Sequence, residues 1–276
     1  MIRDRRLTPA NGRVAALSLK GQVEAARFVD GWSRAVAVPV VALRDAPDGR
    51  RERELLRGEA VTVFEERDGW CFVQAARDGY VGYLPGAALH VAQPADLRVV
   101  ARATHAYAEA DIKSPDIASL SFGSRLVNLG LEGRFVRTDA GYVPPSHLAP
   151  LDQHAQDPVT VATLLLGTPY LWGGNSAFGI DCSGLVQAAC LACGIACPGD
   201  SDLQAAGLGA PVTDGSRPRR GDLLFWKGHV AWVSGQDMIL HANAHHMAVA
   251  FEGMAEALAR IEAQGGGPVT GHRRLG

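Results

Sequence analysis

The sequence predicts a multidomain chain in which two small all-β modules precede an α+β domain. Three observations support this prediction. Short β-rich runs between turn dipeptides fill residues 35–93, a second series over residues 94–150 repeats their order, and helices precede strands in residues 151–276. Residues 1–34 carry apolar positions without a clear period, so we expect a partly ordered leader that packs on the neighbouring β module.

The composition is that of a globular protein and excludes several classes of function. Of 276 residues, 47% are hydrophobic and 20% are charged, and 27 basic against 29 acidic residues leave a net charge of -2. This balance offers no electrostatic basis for binding a nucleic acid. We find neither a signal peptide nor an apolar run long enough to span a membrane, and the five cysteines are an odd number. We therefore expect a cytoplasmic protein with reduced thiols and no membrane span.

The first β module contains four strand-like runs at the spacing of a small barrel. They are rich in β-branched and aromatic residues and occupy residues 37–43, 60–64, 70–74 and 80–84. Turn dipeptides separate them, namely Asp48-Gly49, Asp68-Gly69 and Asp78-Gly79. This pattern is typical of a compact all-β fold.

An internal repeat links the two β modules. Segments 58–61, 68–73 and 79–85 of the first module are echoed in the second by segments 123–127, 132–136 and 141–144. Self-similarity of this kind indicates two copies of one fold. Such modules more often bind a ligand or act as spacers between domains than catalyse a reaction.

A linker at residues 148–158 introduces the α+β domain. Its helices are predicted at residues 159–166, from Cys182 to about Gly194, and at residues 201–208. The strands after them are predicted at residues 221–226, 229–233 and 238–243.

Cys182 is predicted at the start of a helix. Asp181 can cap the N-terminus, apolar residues recur at helical spacing after it, and Gly194 can end the helix. The helix dipole would then lower the thiol pKa and favour the nucleophilic thiolate. A second interpretation stays open at this point, because a free cysteine is commonly a small buried hydrophobe.

Two histidines are predicted to face each other across a hairpin. If the strands at 229–233 and 237–243 pair about a turn centred on Gly235, His229 and His241 lie directly opposite on one face. One imidazole can then orient the other, which suits a general base and its orienting partner beside a cysteine. A lone histidine in a strand is more often an exposed or hydrogen-bonded side chain, but an apposed pair favours catalysis.

A zinc site is the alternative for the same residue types. Its candidate ligands are Cys190, Cys193, Cys197, His241, His245 and His246. Cys190 and Cys193, however, lie inside an apolar helix, where packing alone explains why small apolar side chains occur. We therefore expect no metal and no cofactor.

The order Cys, His, His, with separations of 47 and 12 residues, carries a family resemblance. Together with segments 167–174, 179–186, 220–226 and 228–231, it resembles the NlpC-type papain-like cysteine peptidases of bacterial cell-wall peptides over about residues 158–250. The two β modules resemble bacterial SH3-like barrels. The resemblance thus implies two SH3-like barrels followed by an α+β papain-like domain, as in the γ-D-glutamyl-L-diamino acid endopeptidases.

The resemblance implies a role for each matching residue. Cys182 would be the nucleophile, His229 the general base and acid, and His241 the residue that orients it. Tyr170 would help to hold the oxyanion with a backbone amide. Three further residues are implied around the substrate, where Asp181 and Ser183 flank the nucleophile and Trp172 lines the cleft; Tyr170 and Trp172 have the alternative of being core aromatics.

The resemblance also implies how a substrate is selected. Asp200 and Ser201 would bind the free amine of an N-terminal L-alanine, and Tyr80 or Tyr83 of the first module would close the pocket. An unpaired carboxylate would reject substrates that lack the amine. Glu52 or Glu54 is a further candidate contact, and an ordinary helix cap is the alternative role for Asp200 and Ser201.

The expected activity is hydrolysis of the γ-D-glutamyl–diamino acid bond in murein peptides with a free N-terminus, such as L-Ala-γ-D-Glu-meso-diaminopimelate. Murein peptide is the only expected partner, and no obligate protein partner is evident. Two alternatives remain open. One is an amidase or acyltransferase on the same core, and the other is a non-catalytic cell-wall-binding adaptor.

Overall fold

The computed structural model describes residues 3–276, and the chain divides into two compact units, Met1–Asp152 and Gln153–Gly276. The first unit is built almost entirely of strands, and the second combines helices with one large sheet. Among the described residues, no helix has both the length and the apolar character needed to cross a bilayer.

The N-terminal segment packs against the first large sheet. Strands β1 (Val14–Ala16) and β2 (Arg27–Val29) pair in parallel, and short 3-10 helices lie at Arg5–Leu7 and Leu17–Leu19. Val14 and Ala16 are buried in a cluster with Phe64, Phe72 and Val81 of the following sheet. The segment is therefore anchored by its apolar side chains.

A seven-stranded antiparallel sheet comes next, and it begins at Trp32, three residues before the predicted boundary at 35. Asp68 and Gly69 both adopt positive φ, at 51° and 79°, as a two-residue hairpin turn requires. The sheet encloses a core that includes Leu43, Val63 and Leu84. Its strands, in the order β5-β4-β8-β7-β6-β3-β9, are β3 (Trp32–Val36), β4 (Val40–Arg44), β5 (Arg51–Leu56), β6 (Ala60–Arg67), β7 (Trp70–Ala75), β8 (Val81–Pro85) and β9 (Leu89–Val91).

Residues 97–150 form a second β body with its own core around Val99, Leu120 and Leu126. It consists of a five-stranded sheet in the order β12-β11-β16-β15-β14 and a three-stranded sheet in the order β13-β10-β17. The strands are β10 (Leu97–Val99), β11 (Ala103–Tyr107), β12 (Asp116–Ser121), β13 (Arg125–Leu126), β14 (Asn128–Glu132), β15 (Phe135–Thr138), β16 (Gly141–Val143) and β17 (Leu148–Pro150).

The two β bodies end in the same way. In the first, β8 ends at Pro85, which is followed by the 3-10 helix Gly86–Ala88 and β9. In the second, β16 is followed by Pro144, the 3-10 helix Pro145–His147 and β17. The repeat that is visible in the sequence thus corresponds to a repeated order of elements.

The second unit has four helices among its described elements and a six-stranded sheet in the order β20-β25-β21-β22-β23-β24. Its elements are α1 (Pro158–Thr163), β18 (Asn175–Ser176), β19 (Gly179–Ile180), α2 (Cys182–Ala192), α3 (Ser201–Gly207), β20 (Ala210–Pro211), β21 (Asp222–Trp226), β22 (His229–Gly235), β23 (Met238–Asn243), β24 (Ala248–Gly253), α4 (Met254–Ala263) and β25 (Gly271–Arg274).

Helix α4 covers one face of this sheet. Ala257 and Ile261 of α4 pack on Ala231, Val233 and Ile239. The same alternation places His229 and His241 on the face that α4 covers, since all of these strand positions are odd-numbered. The sheet face that carries the two histidines is therefore largely buried.

Candidate active site

Cys182 is the first residue of α2, as the sequence predicts. Asp181 adopts an extended conformation and caps the helix, because its Oδ1 accepts from the Gly184 amide at 2.7 Å. The cysteine side chain is 7% exposed. Capping is a local interaction, so a sequence pattern of four residues is enough to predict this helix start.

The Asp181 carboxylate is fully engaged within the protein. Its Oδ2 accepts from the Gly173 amide at 2.9 Å, and its Oδ1 also accepts from the Ser183 hydroxyl at 2.9 Å. Asp181 and Ser183 are both buried. These contacts fix the loop before the nucleophile, and a direct contact of either side chain with substrate stays a prediction.

The expectation of a lowered thiol pKa is wrong for Cys182. Burial, together with the negative charge of Asp181, raises the pKa of the Cys182 thiol from 9.0 to about 12. Hydrogen bonds from the backbone N–H groups of Val230, Ser183 and Cys182 itself lower this pKa, but by less than burial and Asp181 raise it. The cap that starts the helix therefore places a negative charge beside the thiol.

The hairpin that carries both histidines has a different register from the predicted one. Trp232 pairs with Leu240 and Val233 with Ile239, so the strands are shifted by two residues relative to a turn centred on Gly235. Gly235 pairs with Met238, so the turn is centred between Gln236 and Asp237, and a bulge between Val233 and Gly235 then changes the register by one residue. Because the shift is an even number of residues, His229 and His241 still share a face, but they are diagonal rather than directly opposed.

The two histidines are nevertheless hydrogen-bonded to each other. Nε2 of His229 lies 2.9 Å from Nδ1 of His241, and the centroids of the two rings are 5.1 Å apart. The ring of Trp226 lies 5.6 Å from that of His229 and packs on it. The prediction that one imidazole contacts the other is confirmed, although the register behind it is not.

Two residues that the sequence does not identify extend this line of contacts. Nε2 of His241 lies 3.0 Å from Oε2 of Glu252 on β24. Arg260 of α4 donates to both carboxylate oxygens of Glu252, from Nε at 2.8 Å and from Nη2 at 2.7 Å. Only long-range pairing of β23 with β24 brings these side chains together, so no local motif indicates them.

Burial and hydrogen bonding favour neutral imidazoles at His229 and His241 and an ionised carboxylate at Glu252. Burial lowers the pKa of His229 to about 3 and that of His241 to about 4. The hydrogen bond from Arg260 holds the pKa of Glu252 at about 2. At neutral pH the Cys182 thiol and the His229 imidazole are thus both uncharged in the resting protein.

Tyr170 and Trp172 lie on the loop before α2. Burial, and then the nearby Cys182 and Asp181, raise the pKa of the Tyr170 phenol to about 12. The Tyr170 amide donates to the carbonyl of Met247 at 2.9 Å, which holds the loop on the sheet domain. Trp172 is 60% exposed and is therefore not a core aromatic.

Asp200 and Ser201 stand at the start of α3. Asp200 occupies the N-cap position, but its side chain makes no capping hydrogen bond. The buried Gln204 amide donates to the carbonyls of Ser183, at 2.9 Å, and Pro198, at 3.0 Å. Gln204 thereby ties the segment before α3 to the first turn of α2, a link that the sequence does not reveal.

The two tyrosines predicted to assist substrate binding differ in their surroundings within the first unit. Tyr80 is 2% exposed and belongs to the core of the seven-stranded sheet. The Tyr83 hydroxyl accepts from Asn11 Nδ2 at 3.0 Å, and its ring packs on Phe72 with centroids 5.0 Å apart. A role for either tyrosine in substrate binding stays a prediction.

The zinc alternative gains no support from the cysteines. A hydrogen bond with Cys197, and burial, raise the pKa of Cys190, which opposes the thiolate that zinc requires. In residues 3–276, the only converging group of potential ligand atoms is that of His241, His246 and Glu252, which lie within 4.8 Å of one another. The guanidinium of Arg260 already neutralises Glu252, so we assign no metal to this group.

Comparison with known proteins identifies both parts of the chain. The bacterial dipeptidyl-peptidase SH3 domain matches residues 43–89, and the NlpC/P60 family matches residues 167–260. Dipeptidyl-peptidase 6 of Lysinibacillus sphaericus is 30% identical over 218 residues, which is 69% of this chain and 79% of that protein. Gamma-D-glutamyl-L-lysine dipeptidyl-peptidase of Bacillus subtilis is 30% identical over 213 residues, which is 70% of this chain and 69% of that protein.

Solved structures agree on the fold. An NlpC/P60 family protein from Bacillus cereus superposes with a TM-score of 0.74 at 22% identity, over 88% of this chain and 99% of that chain. An NlpC/P60 endopeptidase from Photobacterium damselae subsp. piscicida superposes with a TM-score of 0.59 at 14% identity, over 93% of this chain and 74% of that chain. The resemblance inferred from the sequence is confirmed, and the chain belongs to the NlpC/P60 family of peptidases, with an SH3-type domain before the peptidase domain.

Proposed function

We propose that the protein is a cysteine peptidase that hydrolyses the γ-D-glutamyl–diamino acid bond of murein peptides with a free N-terminal L-alanine. The observation that carries the proposal is the hydrogen bond between His229 and His241. His229 is the first residue of β22, and the amide of the next residue on that strand, Val230, faces the Cys182 sulfur. The name of the Bacillus subtilis relative, a γ-D-glutamyl-L-lysine dipeptidyl-peptidase, supports the bond and the substrate class.

The charge states of Cys182 and His229 before substrate binds determine when the thiol proton is transferred. The thiol pKa of about 12 and the His229 pKa of about 3 keep both groups neutral before substrate binds. His229 therefore accepts the Cys182 proton as the sulfur attacks the γ-carbonyl carbon, and the carbonyl π electrons move onto oxygen. Collapse of this intermediate breaks the C–N bond, and His229 returns the proton to the departing amine. Water, deprotonated by His229, then releases the dipeptide from the thioester.

Tyr170 is suited to stabilise the oxyanion. Its pKa of about 12 keeps the phenol protonated, and therefore able to donate, throughout the neutral range. The backbone N–H of Cys182 is the second donor, as expected for a nucleophile at a helix N-terminus. Both donors stay neutral, so neither needs to gain or lose a proton during the reaction.

Asp200 and Ser201 are the proposed site for the substrate amine. Gln204 connects their segment to Ser183, the residue after the nucleophile. A carboxylate at that position would pair with the alanyl ammonium, and a blocked amine would not form this ion pair. Specificity for a free N-terminus then arises from the same loop that borders the catalytic helix.

We further propose that residues 97–150 form a second SH3-like module and that the enzyme acts on free murein peptides in the cytoplasm. The shared ending of the two β bodies supports the first point. The second is compatible with the cysteines, because no disulfide occurs in the part of the chain that the structure describes. Fractionation of producing cells, followed by assay of each fraction, tests the location.

Mass spectrometry of reaction products tests the proposed activity. We expect the wild type to convert L-Ala-γ-D-Glu-meso-diaminopimelate into L-Ala-D-Glu and free diaminopimelate, and Cys182→Ala to release neither. The N-acetylated tripeptide should be cleaved far more slowly, because it cannot pair with Asp200. Cys71→Ala, which removes a cysteine of the first unit, is the matched control and should retain activity.

Other outcomes would point to the remaining alternatives. Equal cleavage of free and acetylated peptides would contradict the proposed specificity. Transfer of the acyl group to an added amine instead of water would indicate an acyltransferase. An unchanged biological activity of Cys182→Ala would indicate a wall-binding adaptor.

A further inference from the structure

The side chains behind His241 form a chain of donors and acceptors that has one consistent arrangement of protons. Glu252 contacts Nε2 of His241, and Nδ1 of His241 contacts Nε2 of His229. His241 is 0% exposed, so water cannot substitute for either neighbour. Each ring nitrogen in this chain therefore has to match the group that it faces.

The ionised carboxylate of Glu252 determines which ring nitrogens of the two histidines carry a proton. Two hydrogen bonds from Arg260 keep Glu252 ionised, and an ionised carboxylate only accepts hydrogen bonds. Nε2 of His241 therefore carries the proton, and Nδ1 of the neutral ring is a bare acceptor. Nε2 of His229 must then donate to it, which leaves Nδ1 of His229 without a proton.

We propose that Glu252, held in place by Arg260, is a positioning residue that sets the tautomers of both histidines so that Nδ1 of His229 is the catalytic base. The proposal deepens the proposed function and rests on it. Glu252 acts only through His241 and contacts no reacting atom. Its place on β24, beyond the Cys, His, His pattern, explains why the motif alone does not include it.

Glu252 also affects how readily His229 accepts a proton. Besides each other, the charged and titratable groups that act on the two imidazoles are Glu252 from β24, Arg260 from α4 and His246 from the loop after β23. Among them only Glu252 raises the pKa of both imidazoles, while burial and Arg260 lower it. The carboxylate thus stabilises the imidazolium that forms when the thiol is deprotonated.

Two substitutions separate this role from a merely structural one. Oε2 of Glu252 accepts from both His241 Nε2 and Arg260 Nη2, so in Glu252→Gln an amide oxygen at that position still accepts from His241. The tautomers are then kept while the negative charge is lost. In Glu252→Leu no acceptor faces Nε2 of His241, so nothing fixes the tautomers of the two rings, and in Glu252→Asp a carboxylate is kept.

The kinetic test is therefore the order of the variants. We expect kcat on the free tripeptide to fall in the order wild type, Glu252→Asp, Glu252→Gln, Glu252→Leu, with a loss of about 100-fold or more for Leu and little change in KM. A structural role as the ion-pair partner of Arg260 predicts equal losses for Gln and Leu, because both remove the charge. Glu256→Gln removes the same charge from an exposed position of α4 and should match the wild type.

Nuclear magnetic resonance gives a readout that needs no substrate. Long-range ¹H–¹⁵N spectra of histidine-labelled protein should show protonated Nε2 on both His229 and His241 in the wild type and in Glu252→Gln, and a population with protonated Nδ1 on both in Glu252→Leu. Unchanged tautomers in Glu252→Leu would overturn the proposal. If the tautomers are as proposed and the wild type leaves the murein tripeptide intact, the proposed function fails while this inference stands.

Discussion

At the scale of single residues, the Cys182 thiol is kept protonated by its surroundings. A favourable helix N-terminus contributes about 0.3–1 kcal/mol for a nearby anion. The rise of the thiol pKa from 9.0 to about 12 corresponds to about 4 kcal/mol in the opposite direction. Burial and the Asp181 charge therefore prevail over the helix dipole, and the reactivity of Cys182 depends on proton transfer to His229.

Tyr170 provides a residue-scale test of oxyanion stabilisation. Tyr170→Phe removes the phenolic donor and keeps the ring, so we expect kcat to fall by about 100- to 1,000-fold with a smaller change in KM. Steady-state kinetics on the free tripeptide measure both constants. Tyr142→Phe, which removes a hydroxyl that donates to Glu132 in the second β body, is the control. A loss confined to KM would show instead that Tyr170 binds the substrate in its ground state.

At the scale of secondary-structure elements, α3 is held in place by one buried side chain. Gln204→Ala leaves the carbonyls of Ser183 and Pro198 without their donor, which should destabilise the peptidase unit by about 1–3 kcal/mol. Because α3 carries Asp200 and Ser201, we expect KM for the free tripeptide to rise more than kcat falls. Thermal unfolding and kinetics measure the two effects. The exposed Gln156→Ala is the control, and an equal effect on the acetylated peptide would separate α3 from amine recognition.

The elements also show which features the sequence can predict. The start of α2 depends on Asp181 and its neighbours in the chain, so a local pattern predicts it. The hairpin register depends on a bulge at Ser234 and on Asp237, which adopts a φ of 56°, and neither has a distinct local signal. Glu252 and Arg260 reach His241 only after β24 and α4 pack on the sheet, so they lie beyond any prediction from spacing.

At the scale of the whole molecule, the peptidase unit holds carboxylates at two places on one face of the sheet. On β24, Glu252 lies between His241 and Arg260. On β21, Asp222 accepts from His272 Nε2 at 2.7 Å and from Arg274, and the hydrogen bond from Arg274 helps to lower its pKa to about 2 against the effect of burial. Each carboxylate has a folded-state pKa below its ordinary value, so each contributes stability that is lost as the pH falls from about 4.5 towards about 2.

The buried histidines shift the onset of acid destabilisation to a higher pH. His241 has a folded-state pKa of about 4, below its ordinary 6.5, so the unfolded chain takes up a proton first as the pH falls. The free energy of unfolding should therefore decrease from pH 6.5 towards pH 4, by about 1.4 kcal/mol per pH unit for this one group. Hydrogen exchange of the β23 amides, followed by mass spectrometry at each pH, measures this free energy of unfolding locally. His241→Gln should reduce this dependence, whereas His105→Gln, at an exposed position of the second β body, should leave it unchanged. An identical pH dependence in His241→Gln and the wild type would show that His241 is not the group that takes up the proton.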